Sequence, residues 1–389
     1  MMTKEISKLL KQHQLLQMSL AKIVVKKDVL ENIADYINYR QFNNVTIVCD
    51  KNTNLILGEG MNSSLTTKVE KVSKLLLHPN KHNQVLADEQ AIVQLLVEVP
   101  SDTDVLIAVG SGTIHDIVRF AAHKMKIPFI SVPTAASVDG FTSKGAPLIL
   151  RGFKQTIQTT APIAVFADID IIKEAPKEMT AAGFGDILGK YTSLLDWKIS
   201  ECIGNEPYNQ LAASITRNAL DTCVEHVDLI ASGDDKGMQV LMEALIDSGL
   251  VMLILNHSKP ASGGEHHLSH YWEMELLKQD KVQLLHGAKV GVATAILSDR
   301  YKEWKQQLQN NQVAVHSKFQ QEWSRYGDEI KELIDELPSS QQIRKLLATV
   351  GGPTTTEELG IPNSLLEESL HEAHHLRPRC TGLFLMNQV

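Results

Sequence analysis

Two hydrophobic rhythms divide this chain. Up to about residue 175, short continuous apolar runs alternate with segments whose apolar residues recur three and four apart. The runs at 44–49, 104–109, 128–132, 148–157 and 161–167 predict buried strands, and segments 28–39 and 88–99 predict helices. Beyond residue 188 the helical rhythm continues through 211–230, 237–255 and 281–304, punctuated by Gly233-Asp234-Asp235 and Lys259-Pro260. Residues 4–20 fit either a short helix or a strand-edge extension. The expected organisation is an α/β domain over residues 1–175 followed by an all-helical domain over 176–389, with Pro176 opening the helix at the junction.

Chemistry-bearing residues gather where this rhythm breaks. The 104–109 strand runs into Gly110-Ser111-Gly112-Thr113, with a helix opening at Ile114. Free N–H groups and the positive end of the helix dipole converge there, and glycine lets a phosphate come close. The spacing is neither Gly-x-Gly-x-x-Gly nor a Walker loop, so pyrophosphate binding stands beside a plain tight turn. Asp50 ends the 44–49 strand, where a carboxylate accepts from ribose hydroxyls or serves the turn. After the 128–132 strand comes Pro133-Thr134-Ala135-Ala136-Ser137-Val138-Asp139-Gly140, a polar loop at the edge where open α/β sheets bind ligands.

The junction itself reads Ala181-Ala182-Gly183-Phe184-Gly185-Asp186-Ile187-Leu188-Gly189-Lys190. Its glycines permit close approach of backbone or ligand around Asp186. Far downstream, Ser262-Gly263-Gly264-Glu265-His266-His267-Leu268-Ser269-His270 opens a helix that carries His266 and His270 on one face. Either both imidazoles bind one metal, or one binds and its neighbour faces a substrate. His286-Gly287 begins another apolar, small-residue stretch. An acid and two imidazoles with an open position make a plausible catalytic divalent site. His371, His374, His375, Arg377 and Arg379 crowd the tail without ordered ligand spacing, which fits a packed or solvated helix end.

Composition narrows the classes. A formal charge of −8, from 38 Lys and Arg against 46 Asp and Glu, argues against general nucleic-acid binding and leaves a small anionic substrate open. Cys49, Cys202, Cys223 and Cys380 are far apart with no Cys-x-x-Cys pair, the pattern of reduced thiols in a cytoplasmic protein. The first twenty residues lack the apolar core of a secretion signal, and no run reaches the roughly 18 apolar residues of a membrane span.

Taken in order, the glycine turn, the 133–140 loop, Gly185-Asp186-Ile187-Leu188-Gly189-Lys190, the 262–270 segment and Leu285-His286-Gly287 resemble the sn-glycerol-1-phosphate dehydrogenase family, most closely its bacterial AraM-type branch from bacilli. The wider group is the iron-containing alcohol dehydrogenase and dehydroquinate synthase-like superfamily. The resemblance spans the chain from about Ala21 to the tail. It implies a Rossmann-like α/β domain, a helical domain, and NADH- or NADPH-dependent reduction of dihydroxyacetone phosphate to sn-glycerol 1-phosphate for glycerophospholipid synthesis. It also implies one divalent metal, nickel or zinc, on Asp186, His266 and His286, and a homodimer. Gly112, Thr113, Ile114, His115 and Asp116 would carry the pyrophosphate, with His115 departing from the asparagine of many relatives. Asp50 would reach the ribose and favour NADH, and Thr134, Ala135, Ala136, Ser137 and Ser143 would line the rest of the cofactor. Asp139, Asp186 and His270 would face substrate, with the phosphate cation open among Lys144, Lys190, His270 and the tail arginines. Glycerol dehydrogenase, a dehydroquinate synthase-like lyase and a catalytically silent metal-binding module are the competing expectations.

Overall fold

The computed structural model describes residues 3–13, 20 and 22–388. Strands β1 (Lys22–Lys26), β2 (Asn44–Cys49), β3 (Lys71–Leu76), β4 (Val105–Gly110) and β5 (Phe129–Pro133) belong to one parallel sheet. A hairpin of β6 (Gly145–Leu150) and β7 (Phe153–Gln158) follows, and β8 (Ala164–Asp168) completes the sheet in the order β1-β8-β5-β4-β2-β3. Every residue of β4, β5 and β8 is buried, as their unbroken apolar runs require when helices cover both faces. The two edge strands, β1 and β3, carry no such run and escape the hydrophobic pattern; Lys71 and Lys74 of β3 stay at the surface. The apolar run at 148–157 is not one strand. It turns back at Arg151 and Gly152, both at positive φ (54° and 78°), in a two-residue hairpin.

The sheet has one topological switch. From β2 the chain moves outward to β3; from β4 it moves the other way to β5. The carboxyl ends of β2 and β4 are therefore neighbours from which the chain departs in opposite directions, which opens a crevice in sheets of this kind. Asp50 follows β2 and the glycine turn follows β4, so both stand at this crevice.

Helix α1 (Lys4–Gln12) precedes the sheet, and the rest of the expected 4–20 element, residues 14–19, lies outside the described residues. Helix α2 (Gly112–Met125) follows the glycine turn. After β8 the described residues contain helices and no further strand, among them α3 (Lys177–Leu188), α4 (Lys190–Cys202), α5 (Gln210–Glu225), α6 (Asp235–Leu255), α7 (Gly264–Lys278) and α8 (His286–Gln309). The 211–230 segment breaks at His226 between α5 and a short helix, Val227–Ser232. Ile6 and Leu9 of α1 pack with Ala212 of α5 and with Leu245 and Leu250 of α6, so the N-terminal helix joins the helical core. Helix α6 is long and apolar enough to cross a membrane, but most of it is buried in that core. The four cysteines are free and buried.

Helix α3 is held by backbone contacts that only glycine permits. A Cβ on Gly183 would lie 1.9 Å from the Ala136 carbonyl oxygen, and one on Gly185 would lie 2.4 Å from that of Gly287. A Cβ on Gly287 would in turn lie 1.8 Å from the Ala182 carbonyl oxygen. The helix thus lies directly against the loop after β5 on one side and against α8 on the other. Gly183→Ala should push this packing apart and lower stability by about 1–3 kcal/mol, read as an earlier midpoint in denaturant unfolding.

Candidate metal and cofactor site

Asp186 is fully buried in the last turn of α3. The Asp139 N–H, in the loop after β5, donates to its Oδ2 at 3.0 Å. Its other oxygen, Oδ1, has no hydrogen-bond partner among the described residues. That oxygen faces His266 Nε2 at 3.6 Å, His286 Nε2 at 3.9 Å and Lys190 Nζ at 3.7 Å. One ligand atom each from Asp186, His266 and His286 lies within 4.8 Å of the other two.

The imidazoles arrive from two helices. His266 sits in the first turn of α7, and Glu265 Oε1 lies 2.8 Å from its Nδ1. Glu265 is itself fixed by the Thr192 hydroxyl and the Gly263 N–H, each at 2.6 Å. A proton on Nδ1 toward that carboxylate leaves the Nε2 lone pair directed at Asp186. His286 is the first residue of α8, whose close contact with α3 brings the ring to the same place. Burial holds His266, His270 and His286 well below the usual histidine range, so all three are neutral donors. Burial, with Asp139 adding to it against Lys190, pushes Asp186 up to about 7. Lone pairs converging on an unpartnered buried oxygen repel one another, and a divalent cation among them reverses the sign. The donor set therefore fits a metal.

Of the two readings of His266 and His270, the geometry brings His286 rather than His270 to the Asp186–His266 pair. The His270 ring is 6.1 Å from that of His266 and stacks 5.6 Å from that of His286. His270, Glu273 and His286 form a second group with ligand atoms within 4.8 Å. Glu273, however, is already bound to Lys154 of the hairpin (2.8 Å) and to Lys289 (3.0 Å), which occupy its carboxylate. The tail histidines His371, His374 and His375 join no such group among the described residues.

At the crevice, α2 starts at Gly112, two residues earlier than expected. Its N-cap, Ser111, makes no side-chain capping bond, so the first-turn N–H groups of Gly112, Thr113 and Ile114 remain available to an anion. A Cβ on Gly112 would come within 2.8 Å of Val138, so glycine lets the 133–140 loop close over the turn. The next two expected contacts are engaged elsewhere. His115 is buried against Phe141 with Nδ1 2.8 Å from the Ser111 carbonyl oxygen, and Asp116 pairs with Arg119 at 2.7 Å. The Thr134 N–H donates to the Gly110 carbonyl at 3.1 Å, which ties the loop to the turn. Ala135 and Ala136 are buried wall, Ser137 Oγ is buried without a partner, and Ser143 Oγ bonds to the Gly140 carbonyl. Asp50 caps the short helix after β2 by accepting from the Thr53 N–H at 2.8 Å.

The sequence did not reveal the pairing of several organising residues, including Lys190, offered there only as one candidate cation for the substrate phosphate, and Asp139, expected to face substrate. Lys190, fully buried, donates to Asp139 Oδ2 at 2.7 Å, and the Ser248 hydroxyl meets the same oxygen at 2.8 Å. Asp139 is thereby a strut between α4, α6 and the sheet loop. Arg119, fully buried on α2, donates to the carbonyls of Gly140 and Gly145 and holds the far end of that loop. A charged residue among Ile117, Val118, Ala121 and Ala122 on an inward face was the available signal. Glu265, next to His266, was legible as a possible orienting carboxylate by adjacency alone.

Comparison with known proteins shows the family. Residues 24–176 match the model of the iron-containing alcohol dehydrogenase family. The chain is 47% identical to the glycerol-1-phosphate dehydrogenase (NAD(P)+) of Geobacillus thermodenitrificans over 97% of its length and 94% of that relative. It is 44% identical to that of Bacillus subtilis (96% and 92% covered) and 32% identical to that of Methanosarcina barkeri (92% and 88%). The fold matches glycerol dehydrogenase from Schizosaccharomyces pombe with a TM-score of 0.68 at 21% identity, covering 96% of this chain and 86% of that one. It also matches sulfoacetaldehyde reductase from Bifidobacterium kashiwanohense in complex with NAD+, with a TM-score of 0.63 at 14% identity and coverage of 94% and 93%. With a parallel sheet, a glycine-led helix at its switch point and an Asp-His-His cluster beside it, the chain belongs to the glycerol-1-phosphate dehydrogenase family, within the iron-containing alcohol dehydrogenase group.

Proposed function

We propose that this protein catalyses the reversible, NAD(P)H-dependent reduction of dihydroxyacetone phosphate to sn-glycerol 1-phosphate. The observation that carries the reading is the meeting of Asp186 Oδ1, His266 Nε2 and His286 Nε2 at one buried point in a chain whose relatives bear that name. Asp186, His266 and His286 would hold one divalent cation, nickel or zinc, whose chemistry is to stabilise negative charge on the C2 oxygen while nicotinamide exchanges hydride with C2.

The chain's own residues do the rest. The N–H groups of Gly112, Thr113 and Ile114 hold the pyrophosphate of the cofactor, and the 134–137 wall with Ser143 borders its path toward Asp186. Asp50, at the adjoining strand end, accepts from the ribose hydroxyls and repels a 2′-phosphate. Asp139 and Lys190 fix the orientation of Asp186 from both sides. His270, beside the triad, faces the substrate and relays its proton. Burial of Asp186 and His266 keeps bulk water from the reacting carbon. A cytoplasmic homodimer belongs to the same reading.

Purified protein should oxidise NADH when given dihydroxyacetone phosphate; faster turnover of glycerol with NAD+ would replace this reaction with that of a glycerol dehydrogenase. His266→Ala and His286→Ala should each lose bound metal and at least about 100-fold in kcat, measured by elemental analysis beside the NADH assay. NADH should be preferred to NADPH. Asp50→Ser keeps a capping oxygen and removes the charge, so it should raise the NADPH to NADH ratio of kcat/KM by about tenfold.

A further inference from the structure

Most cations around the site have a carboxylate. Lys190 pairs with Asp139 and Asp186, Lys154 and Lys289 share Glu273, and Arg119 pairs with Asp116. Arg377 stands apart. It follows the turn Ala373–Leu376 in the tail, and its guanidinium faces inward. Its Nη1 donates to Ser262 Oγ at 3.5 Å and its Nη2 to His270 Nε2 at 3.3 Å. Both acceptors are neutral, and no carboxylate pairs with Arg377 among the described residues. Partial burial and the neighbouring Arg379 push its pKa down to about 10, as for a half-buried cation with no compensating charge beside it. Arg379 also pairs with no carboxylate among the described residues, but its guanidinium donates to the Ser262 carbonyl and the Ser258 hydroxyl rather than to His270.

The direction of Arg377 narrows the missing anion. His270 lies between it and the triad, with its ring 6.1 Å from His266 and 5.6 Å from His286. The guanidinium is thus one side chain away from where the C2 oxygen would be held. In dihydroxyacetone phosphate, the phosphorus is three bonds from the carbonyl carbon, so a short dianionic arm reaches in this direction. A planar fork of N–H donors suits phosphate better than a point charge does. Lys190, the other buried cation at the centre, is already spent on two carboxylates.

We infer that Arg377 is the phosphate-binding residue of the substrate site, gripping the phosphate together with the Ser262 hydroxyl, and that it selects a phosphorylated three-carbon ketone over an uncharged one. This rests on the reaction proposed above. A cavity of about 610 Å³ borders Arg377 as well, lined by Lys318, His375 and Arg379 but by none of the triad. An anion lodged there would act from outside the catalytic centre, and kinetics separate the two places.

The test uses the metal-loaded full-length enzyme, with Arg377→Met and Arg377→Lys as variants. Arg377→Met should raise KM for dihydroxyacetone phosphate on the order of 100-fold with a smaller change in kcat, while bound metal and the Kd for NADH stay as in wild type. Arg377→Lys should recover part of the loss. Orthophosphate should inhibit wild type competitively against dihydroxyacetone phosphate and inhibit Arg377→Met at least tenfold more weakly. A KM within threefold of wild type in Arg377→Met, or orthophosphate inhibition that is noncompetitive in wild type, would overturn the assignment. If Arg377→Met fails to fold, the wild-type competition pattern and Arg377→Lys decide it alone. Wild-type enzyme that reduces no dihydroxyacetone phosphate would instead remove the reaction proposed above.

Discussion

The contact of α3 with its two neighbours sets the geometry of everything else. Glycines at 183, 185 and 287 bring the helix backbone onto the loop after β5 and onto α8 at distances no side chain allows. Asp186 is carried on that helix, the Asp139 N–H is supplied by the loop, and His286 begins the opposing helix. One packing contact therefore fixes three of the groups that meet at the centre. A shift of α3 by the width of a methyl group would separate Asp186 from both imidazoles, because their separations are only a few tenths of an ångström beyond hydrogen-bond range.

The electrostatics follow from burial. Asp139, Asp186, Asp196 and Glu265 are among the carboxylates that lie buried around this centre. Each is held in a different way. Asp139 has Lys190; Glu265 has Thr192 and the Gly263 N–H; Asp196 accepts from the Gly264 and Gly382 N–H groups and from Tyr301. Among the described residues, Asp186 alone of the four keeps a fully buried oxygen without a donor, and it is the one that neutral imidazoles face. Satisfied carboxylates build the scaffold, and the unsatisfied one marks where a cation belongs. Arg377 is the mirror image on the cationic side, a charge whose hydrogen-bond acceptors are both neutral, beside the same centre.

The sheet contributes the second half of the site by topology rather than by contact. Its switch between β2 and β4 opens the crevice, and the uncapped start of α2 gives that crevice an affinity for anions. The 133–140 loop joins the halves. Thr134 binds the glycine turn, Asp139 binds Asp186, and Arg119 anchors the loop's far end from α2. The β2–β4 crevice and the Asp-His-His cluster are thus two ends of one short segment.

Much of this was legible in the chain. Continuous apolar runs marked the central strands because both of their faces are covered, and the three-to-four spacing marked the helices that build the core. The edge strands β1 and β3 were not legible, since an edge strand buries too little to impose a pattern. The hairpin at 145–158 was misread as continuous because apolar residues continue across a turn made by backbone conformation at Arg151 and Gly152. Residue types nominated Asp186 and the histidines at 266, 270 and 286 as candidates, and the family resemblance singled out Asp186, His266 and His286. Local sequence could not choose between His270 and His286 as partner of His266, because i, i+4 spacing puts His270 on the right face of the same helix while His286 comes from another. Only the packing of α8 on α3 decided that. Nor did sequence reveal that Lys190 serves two carboxylates while Arg377 serves none, since charge pairing over long separations exists only once the chain has folded.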